Sequence, residues 1–402
     1  MTKSKQPQYR FDSFEGEWEE KKLGEISNIV RGASPRPIQD PKWFDAKSDI
    51  GWLRISDVTE QEGRITYLQQ RISELGQEKT RVLKDPHLLL SIAATVGKPV
   101  INYVKTGVHD GFLVFLDPKF NREFMFQWLD MFRPYWNKYG QPGSQVNLNS
   151  EIVRNQVINL PSLPEQEAIG ELFQTVDQLI QLQDQKLATL KEQKQTFLRK
   201  MFPAQGQKVP EIRLQGFDGE WEEKKLGEIS RMFSGGTPSV GISEYYNGNI
   251  PFIRSSEINS DQTELFITNK GLSNSSAKIV EKNTLLYALY GATSGEVGLS
   301  RISGAINQAI LAIIPEKKYS SLFIKNWLYK QKSSIIEKYL QGGQGNLSGS
   351  IVKGLELYLP SLPEQEAIGD FFQTLDQQMS QIEDKLTELK ALKQTLLNRL
   401  FV

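Results

Sequence analysis

The stretch Leu160-Pro-Ser-Leu-Pro-Glu-Gln-Glu-Ala-Ile-Gly170 occurs a second time, without a change, at residues 359–369. A second block, Gly16-Glu-Trp-Glu-Glu-Lys-Lys-Leu-Gly-Glu-Ile-Ser27, returns unchanged at residues 219–230. Two identical blocks in the same order indicate a duplicated unit of about 200 residues, and such a repeat must be interpreted before any local pattern.

Each Leu-Pro-Ser-Leu-Pro block leads into a long predicted helix. In the first copy, Pro164 suits the first helical position, Glu165 complements the helix dipole, and Pro203 marks the stop. At about 1.5 Å per residue, Pro164 to Phe202 spans roughly 58 Å.

Apolar residues in both helices recur at alternating steps of four and three, which is a sustained heptad seam. Two such helices in one chain favour packing on each other, and an antiparallel pair would give the molecule an approximate twofold axis. The predicted seam residues are Ile169, Phe173, Val176, Ile180, Leu187, Leu190 and Phe197 in the first helix, and Ile368, Phe372, Leu375, Met379, Leu386, Leu389 and Leu396 in the second.

The interiors between the repeated blocks, residues 28–159 and 231–358, share only scattered residues. Drift should erode every segment alike, so unchanged junctions around divergent interiors indicate a common scaffold with two different targets. Apolar runs bounded by glycine turns predict strands, and longer runs predict helices at 124–139 and 322–340. The predicted strands are 51–56, 88–93, 112–116, 250–255, 284–289 and 309–314.

The predicted fold class is α+β, with two tandem mixed, strand-rich modules separated by two long antiparallel coiled-coil helices, in a pseudo-twofold arrangement. The expected boundaries are residues 1–160 for the first module, 161–203 for the first spacer helix, 204–359 for the second module and 360–402 for the second spacer helix.

Composition limits the possible function classes. The chain has no cysteine, which excludes disulfides and thiolate metal sites, and a reducing cytoplasm is the expected location. No apolar run reaches the roughly 18 residues of a membrane span, and residues 1–10 lack the apolar region of a secretory signal. The 48 basic and 48 acidic residues balance, which counts against a lone DNA binder.

No catalytic motif assembles. The segment Ala94-Thr-Val-Gly-Lys98 is similar to a phosphate loop, but Ile92 occupies the first glycine position and Pro99 replaces Ser/Thr. No G-x-G-x-x-G motif follows a strand. His109 aligns with Ile306, and the second half contains no histidine. We therefore expect no catalytic residue and no metal or cofactor on this chain.

Side chains suited to DNA contact lie near glycine turns in both halves. Arginine pairs with guanine and Asn or Gln with adenine in the major groove, while other polar groups contact phosphates. Arg54 and Arg254 lie inside apolar runs and fit structural arginines equally well. The candidate DNA-contacting residues are Arg31, Arg36, Arg54, Thr95, Lys98, Gln145 and Asn147 in the first half, and Arg254, Thr293, Ser294, Gln344 and Asn346 in the second.

Two variable modules, each followed by a repeated Leu-Pro-x-Leu-Pro-Glu-Gln-x-x-Ile segment that enters a long helix, resemble the specificity subunits (HsdS) of type I restriction–modification systems. The Trp18-Glu-Glu-Lys-Lys-Leu23-Gly-Glu block, the Gly235-Gly-Thr-Pro238 turn and Ile250-Pro-Phe-Ile-Arg254 are also similar to that family's pattern. The resemblance covers residues 14–402. The first half departs from it at Gly32-Ala-Ser-Pro35 and Gly51-Trp52, which leaves the identity of its target open.

The resemblance implies that each module is a target recognition domain reading one half of an interrupted, double-stranded DNA site. The helices would set the spacing and dock two methyltransferase (HsdM) subunits, which carry S-adenosylmethionine and the adenine chemistry on flipped bases. Motor–nuclease (HsdR) subunits would add ATP- and Mg-dependent translocation and cleavage. No membrane partner is implied.

Three other functions remain open. A standalone DNA-binding regulator predicts a basic surface and binding without partners. A hydrolase predicts paired carboxylates in a cleft, for which Asp57 and Glu257 supply one matched acid without a second. A coiled-coil adaptor for proteins alone would not need two divergent modules.

Overall fold

The two blocks that each half repeats lie side by side in the computed structural model of the chain. Glu19–Lys22 pairs antiparallel with Val157–Leu160, the strand that leads into the first long helix. Glu222–Lys225 pairs in the same way with Glu356–Leu359. The block that opens each half is thus paired with the strand that runs into the block that closes it.

The structure describes residues 6–139, 148–339 and 346–401. The chain forms two compact units, the first from residues 1–184 with 384–402 and the second from residues 185–383. Two long helices, α6 (Leu163–Lys200) and α11 (Leu362–Leu400), contribute residues to both units.

The elements of the first half are β1 (Glu19–Lys22), α1 (Leu23–Ile26), β2 (Asn28–Arg31), β3 (Gly51–Trp52), α2 (Ile55–Glu60), β4 (Arg64–Ile65), α3 (Glu74–Gln77), β5 (Arg81–Leu83), β6 (Leu88–Ser91), β7 (Pro99–Asn102), β8 (Thr106–Val108), β9 (Phe112–Leu116), α4 (Arg122–Phe132), α5 (Ser150–Asn155), β10 (Val157–Leu160) and α6, with 3-10 turns at Pro41–Trp43 and Arg133–Tyr139.

The elements of the second half are β11 (Glu222–Lys225), α7 (Leu226–Ile229), β12 (Ser230–Ser234), β13 (Tyr246–Ile253), β14 (Phe266–Ile267), α8 (Asn269–Ser273), β15 (Lys278–Val280), β16 (Leu285–Ala288), β17 (Val297–Leu299), β18 (Gly304–Ile306), β19 (Ile310–Pro315), α9 (Ser321–Tyr339), α10 (Gly349–Lys353), β20 (Glu356–Leu359) and α11, with 3-10 turns at Ser243–Tyr245 and Ser255–Glu257.

Each unit contains two sheets besides its two-stranded ribbon; three of these four sheets are mixed, and β12-β19-β16-β17 is entirely antiparallel. The first unit has the strand orders β2-β9-β6-β7-β4 and β3-β8-β5, and the second has β12-β19-β16-β17 and β14-β13-β18-β15. Most neighbours are antiparallel, but β4 with β7, β3 with β8 and β13 with β18 are parallel. This mixture of sheets and helices, with a long helix after each module, confirms the predicted α+β class.

The central strands are buried on both faces, which explains why they are uninterrupted apolar runs. In β6, Leu88 and Leu90 join the core that includes the helices, and Leu89 joins the core on the opposite face. Side chains alternate along a strand, so one strand supplies both cores. The strands predicted at 88–93, 112–116, 284–289 and 309–314 are present, with ends that differ by up to two residues.

The strand predicted at residues 51–56 is wrong beyond its first two residues. After Trp52 the chain turns into α2, because the backbone N–H of Arg54 donates to the Asp57 carboxylate at 2.8 Å and starts the helix. The matching run in the second half is a longer strand, Tyr246–Ile253, followed by a 3-10 turn.

The helix predicted at residues 124–139 is correct only for its first part. The α-helix α4 ends at Phe132, and residues Arg133–Tyr139 form a 3-10 segment. Pro134 lacks the backbone N–H that an α-helix interior needs. In the second half no proline interrupts Ser321–Tyr339, which is one α-helix.

An aromatic cluster completes the core of the first unit. Phe401 stacks on Phe173 with ring centroids 5.8 Å apart and lies 5.3 Å from Phe124. Phe124 also contacts Trp18 of the repeated opening block, at 6.3 Å. Phe401, the last described residue, thus packs into the core of the unit that the first half of the sequence forms.

The second unit contains the same cluster with matching residues. Phe202, at the end of the first long helix, lies 5.1 Å from Phe323 and 6.1 Å from Phe372. Trp221 contacts both Phe202 and Phe323. Each unit therefore takes its closing aromatic ring from the end of the long helix that begins in the other half of the sequence.

Two residues of the Leu-Pro-Glu-Gln motif hold each module together. Glu165 is 1 % exposed and accepts two hydrogen bonds from the Arg10 guanidinium, both at 2.7 Å. Gln166 accepts from the backbone N–H of Asn121 at 2.9 Å and donates to the carbonyl of Pro161 at 2.8 Å. The motif thus joins the start of the long helix to an N-terminal segment and to the start of α4.

The second copy repeats both arrangements. Glu364 accepts from Arg213 at 2.8 and 2.7 Å, and Gln365 accepts from the backbone N–H of Ser320 at 3.0 Å. Sequence analysis placed Glu165 only as a helix-dipole residue. The same hydrogen bonds form in both copies. Packing within each module is therefore sufficient to explain why the Leu-Pro-Glu-Gln motif is identical in the two halves.

Replacing Gln166 with alanine is expected to destabilise the first unit by about 1–3 kcal/mol, because it leaves the half-buried N–H of Asn121 and the buried carbonyl of Pro161 without these partners. Amide hydrogen exchange at the start of α4 would measure the loss. Gln181→Ala, an exposed position on the same helix, is the control. Equal hydrogen exchange in both variants would contradict this stabilising role of Gln166.

Candidate nucleic-acid interface

Several predicted DNA-contacting residues lie at one end of the five-stranded sheet of the first unit. Arg31 ends β2 opposite Leu113 of β9, and Ser91 ends β6 opposite Phe112. Thr95 and Lys98 belong to the turn between β6 and β7, which leaves the sheet at this same end. The register therefore brings Arg31, Thr95 and Lys98 to one edge.

The turn between β6 and β7 is held tightly against the segment that follows α4. Gly97 has a φ of +77°, and a Cβ there would lie 2.5 Å from Trp136, so glycine is required. The Thr95 hydroxyl donates to Ser91 at 3.3 Å, and the Lys98 ammonium pairs with Asp130 at 3.4 Å. Both residues are only half-buried.

In the second unit, the corresponding residues belong to the β16–β17 turn and to the segment that pairs with the end of β16. Ser294 donates its hydroxyl to the carbonyl of Gly291 at 2.9 Å, and Thr293 accepts from the backbone of Glu296 at 2.9 Å within the β16–β17 turn. Leu347 donates its N–H to the carbonyl of Leu289 at 3.0 Å. That bond places the exposed Asn346 next to the residue that pairs with Leu289, just before the β16–β17 turn that contains Thr293 and Ser294.

Gln145, Asn147 and Gln344 lie outside the described residues. They follow Tyr139 and Tyr339, the last described residues of helical segments that pack on the two turns above. Their part in DNA contact remains a prediction.

Arg54 and Arg254 are fixed by carboxylates. Arg54 donates to both oxygens of Asp57, at 3.1 and 2.7 Å, and Arg254 donates to both oxygens of Glu257, at 3.2 and 2.9 Å. Burial alone would raise the pKa of Glu257, but hydrogen bonds from Arg254 and from the backbone of Glu264 lower that pKa to about 2. About a third of each guanidinium side chain is exposed, so these arginines anchor local structure and still reach the surface.

A residue that sequence analysis missed, Asp110, organises the corner next to Arg31. Its carboxylate accepts from the Ser34 hydroxyl at 2.8 Å and from Nη2 of Arg36 at 2.5 Å. Its backbone carbonyl accepts from Nε of Arg31 at 2.6 Å. Arg81 donates to the carbonyl of Arg31 at 3.3 Å, which adds a third guanidinium to the corner.

Strand register corrects the alignment of His109 with Ile306. Phe115 pairs with Leu88 as Ile313 pairs with Leu285, so His109 corresponds to Asn307. Both side chains accept a backbone N–H two residues later, at 2.8 Å for His109 and 3.1 Å for Asn307. The two residues make the same turn, and Asp110 then corresponds to Gln308.

The long helices are paired within each unit. In the first unit Asp177 of α6 binds Lys393 of α11 at 2.8 Å, and in the second Lys194 binds Asp376 at 2.5 Å. In both units residues farther along α6 pair with residues earlier in α11, so the helices are antiparallel there. The seam residues Ile169, Phe173, Val176, Ile368, Phe372, Leu375, Leu386 and Leu389 are buried, and Ile180, Leu187, Leu190, Phe197, Met379 and Leu396 are half-buried.

The described residues bear on two other site types, a metal centre and a membrane span. Residues 6–139, 148–339 and 346–401 contain no group of three or more His, Cys, Asp or Glu side chains that could bind a metal ion. No helix in this described part of the chain has both the length and the hydropathy needed to span a membrane.

The sequence matches one family model twice. Residues 15–192 and 218–391 both match the type I restriction modification DNA specificity domain. The chain is 26 % identical over 186 residues to the EcoR124I/EcoR124II specificity subunit of Escherichia coli, covering 44 % of this chain and 46 % of that protein. It is 30 % identical over 168 residues to the MjaIX specificity subunit of Methanocaldococcus jannaschii, covering 39 % and 38 %. The match thus spans less than half the length of these curated relatives.

Solved structures share the fold across the whole chain. The S subunit of a type I restriction-modification system from M. genitalium superposes with a TM-score of 0.68 at 15 % identity, covering 99 % of both chains. A chain from a study of complex assembly and conformational transition in the type I R-M system gives a TM-score of 0.55 at 17 % identity, covering 96 % of this chain and 97 % of that one. With both halves matched by the family model and by the fold, the chain belongs to the type I restriction modification DNA specificity family.

Proposed function

We propose that the chain is the non-catalytic subunit that selects the DNA site of a type I restriction–modification complex, each unit reading one half of a bipartite, interrupted site. One observation carries the proposal. The two units keep the same frame of ribbon, sheet edge and long helix, but differ at the sheet edge, where Ser34 and Asp110 in the first unit correspond to Thr237 and Gln308 in the second. Two units with the same frame but different polar residues at the sheet edge are what recognition of two different half-sites requires.

The partners we propose are double-stranded DNA, two methyltransferase subunits and motor–nuclease subunits. Two copies of one partner require two equivalent surfaces, and the repeated blocks offer such a pair of surfaces. S-adenosylmethionine, ATP and Mg would then be bound by those partners, and the candidate residues of this chain would serve only in contact with DNA.

Exchange of residues 28–159 for the matching interior of another family member is the direct test. The repeated blocks stay in place, so the first half of the methylated sequence should change while the second half stays the same. Mapping of methylated bases in cells that carry the complex would measure both halves at once. A change in both halves would contradict independent recognition.

A standalone regulator and a hydrolase are separated from this proposal by simpler measurements. A regulator should bind one sequence tightly without partner subunits, whereas we expect full affinity only in the complex, because the chain has no net positive charge. Methyl transfer or hydrolysis by the purified chain alone would contradict the non-catalytic role.

A further inference from the structure

Asp110 and Arg36 form an exposed, neutral pair at the DNA-facing edge proposed for the first unit. The Arg36 side chain is 70 % exposed and the Asp110 side chain 36 %. The contact uses Nη2 of Arg36, and a guanidinium has five N–H donors in a rigid plane, so donors remain for a second partner. Ser34 holds the other carboxylate oxygen of Asp110 and also accepts from its backbone N–H at 3.2 Å.

We propose that Asp110 is a positioning residue that presents Arg36 to a guanine in the half-site read by the first unit. This inference rests on the proposed function, since it names a base within the half-site that the unit would read. Arginine recognises guanine by donating two parallel hydrogen bonds to O6 and N7 in the major groove.

The pairing of Arg36 with the Asp110 carboxylate favours a base over a phosphate as the partner of Arg36. The Asp110 carboxylate cancels the charge of the guanidinium, so the pair offers hydrogen-bond donors without the net charge that attracts phosphates. Burial alone would raise the pKa of Asp110, but the Ser34 hydroxyl and the charges of Arg36 and Arg31 lower it, so the carboxylate stays ionised at neutral pH. The Arg31 guanidinium donates from Nε to the backbone carbonyl of Asp110 and not to its carboxylate, which leaves its charge available for a phosphate contact.

Positioning has a physical benefit at this place. A free arginine side chain has many rotamers, and ordering it when DNA binds costs conformational entropy. Asp110 fixes the guanidinium before DNA arrives, and preorganisation of this kind raises affinity and selectivity.

The second unit has a different edge at the same place. Gln308 corresponds to Asp110, and its amide oxygen accepts from the Thr237 hydroxyl. Ser239 follows Pro238 as Arg36 follows Pro35, so the guanidinium has no counterpart there. The two units should therefore require different bases at equivalent positions of their half-sites.

The test selects bound sequences from a randomised DNA pool with the full chain in its methyltransferase complex. Arg36→Ala and Arg36→Lys should both lose preference for one guanine in the first half-site, by roughly 10- to 100-fold. Asp110→Asn should weaken the same preference, whereas Arg31→Ala should reduce affinity for all sequences and lower the salt dependence. Asp49→Asn is the matched control, because its exposed pair with Lys105 at 2.6 Å lies at the opposite end of the three-stranded sheet.

The outcomes separate the possibilities. Uniform weakening by Arg36→Ala with a normal Arg36→Lys variant would assign a phosphate contact and overturn the inference. An unchanged guanine preference in Asp110→Asn would overturn the positioning role, and Arg36→Lys still tests the base if Asp110→Asn fails to fold. If the wild-type complex selects no sequence, the proposed function fails, and this inference fails with it. If the wild-type complex selects a sequence and the variants select it with the same guanine preference, this inference alone fails.

Discussion

Replacing Phe401 with alanine is expected to lower the free energy of unfolding of the first unit by about 3–5 kcal/mol, although the residue is next to last in the chain. Its side chain is 7 % exposed and packs on Phe173 and Phe124, both fully buried. Those rings are held by two different helices, so the structure can collapse only partly into the cavity that the substitution leaves.

Hydrogen exchange followed by mass spectrometry would resolve the effect of Phe401→Ala by unit. Peptides from α4 and from the first turns of α6 should exchange faster, while peptides from the core of the second unit should not change. Phe202→Ala should reverse that pattern, because Phe202 has the same role in the second unit. Leu392→Ala, at a side chain that is 47 % exposed on α11, the helix that ends just before Phe401, should change stability by less than about 0.5 kcal/mol. Equal effects of Phe401→Ala and Leu392→Ala would refute this account.

The sequence predicted the features that depend on short-range pattern. The duplication, the fold class and the two long helices all follow from repeats and from a 3.5-residue apolar period, and each of these signals is contained in a continuous stretch of chain. Central strands such as β6 were also predicted, because burial on both faces leaves an uninterrupted apolar run.

The sequence could not predict which polar groups meet across the fold. Glu165 and Arg10 are 155 residues apart, and Asp110 and Arg36 are 74 apart, so no local pattern connects them. The repeat did contain a usable signal for the first pair. Arg10 and Arg213 both stand six residues before the glycine of the repeated opening block, and both copies bind the glutamate of the Leu-Pro-Glu-Gln motif. Asp110 had no such signal, because its counterpart is Gln308.

A fragment that ends near Pro203 should form a homodimer in which each copy completes the other. Alone, the fragment lacks Leu397, Leu400 and Phe401, which belong to the core of the first unit. Leu198, Met201 and Phe202 have the equivalent places in the second unit, so a second copy of the fragment can supply them. Lys194 of that copy would likewise meet Asp177, as Lys393 does in the full chain.

The dimer should be weaker than the native pairing, since Gln183 stands in the seam where the second helix has Ile382. Analytical ultracentrifugation over a range of concentrations would measure its dissociation. Phe202→Ala in the fragment should leave it monomeric, and Gln181→Ala, at an exposed position, should leave the dimer intact. A wild-type fragment that stays monomeric at high concentration would contradict the exchange of helix ends.

With methyltransferase subunits present, the fragment dimer should methylate a palindromic, interrupted site made of the first half-site and its inverted copy. The two units that contact DNA are then identical, so the difference between Asp110 in one unit and Gln308 in the other, which the full chain has, is lost. Methylation mapping in cells that express the fragment with these subunits would give the site directly. The Arg36→Ala fragment is the internal control, since one substitution should relax the same base pair in both arms at once. A soluble wild-type dimer that methylates an asymmetric site would refute the assignment of one half-site to each half of the chain. The same conclusion would follow if Arg36→Ala relaxed the base preference in only one arm of the site.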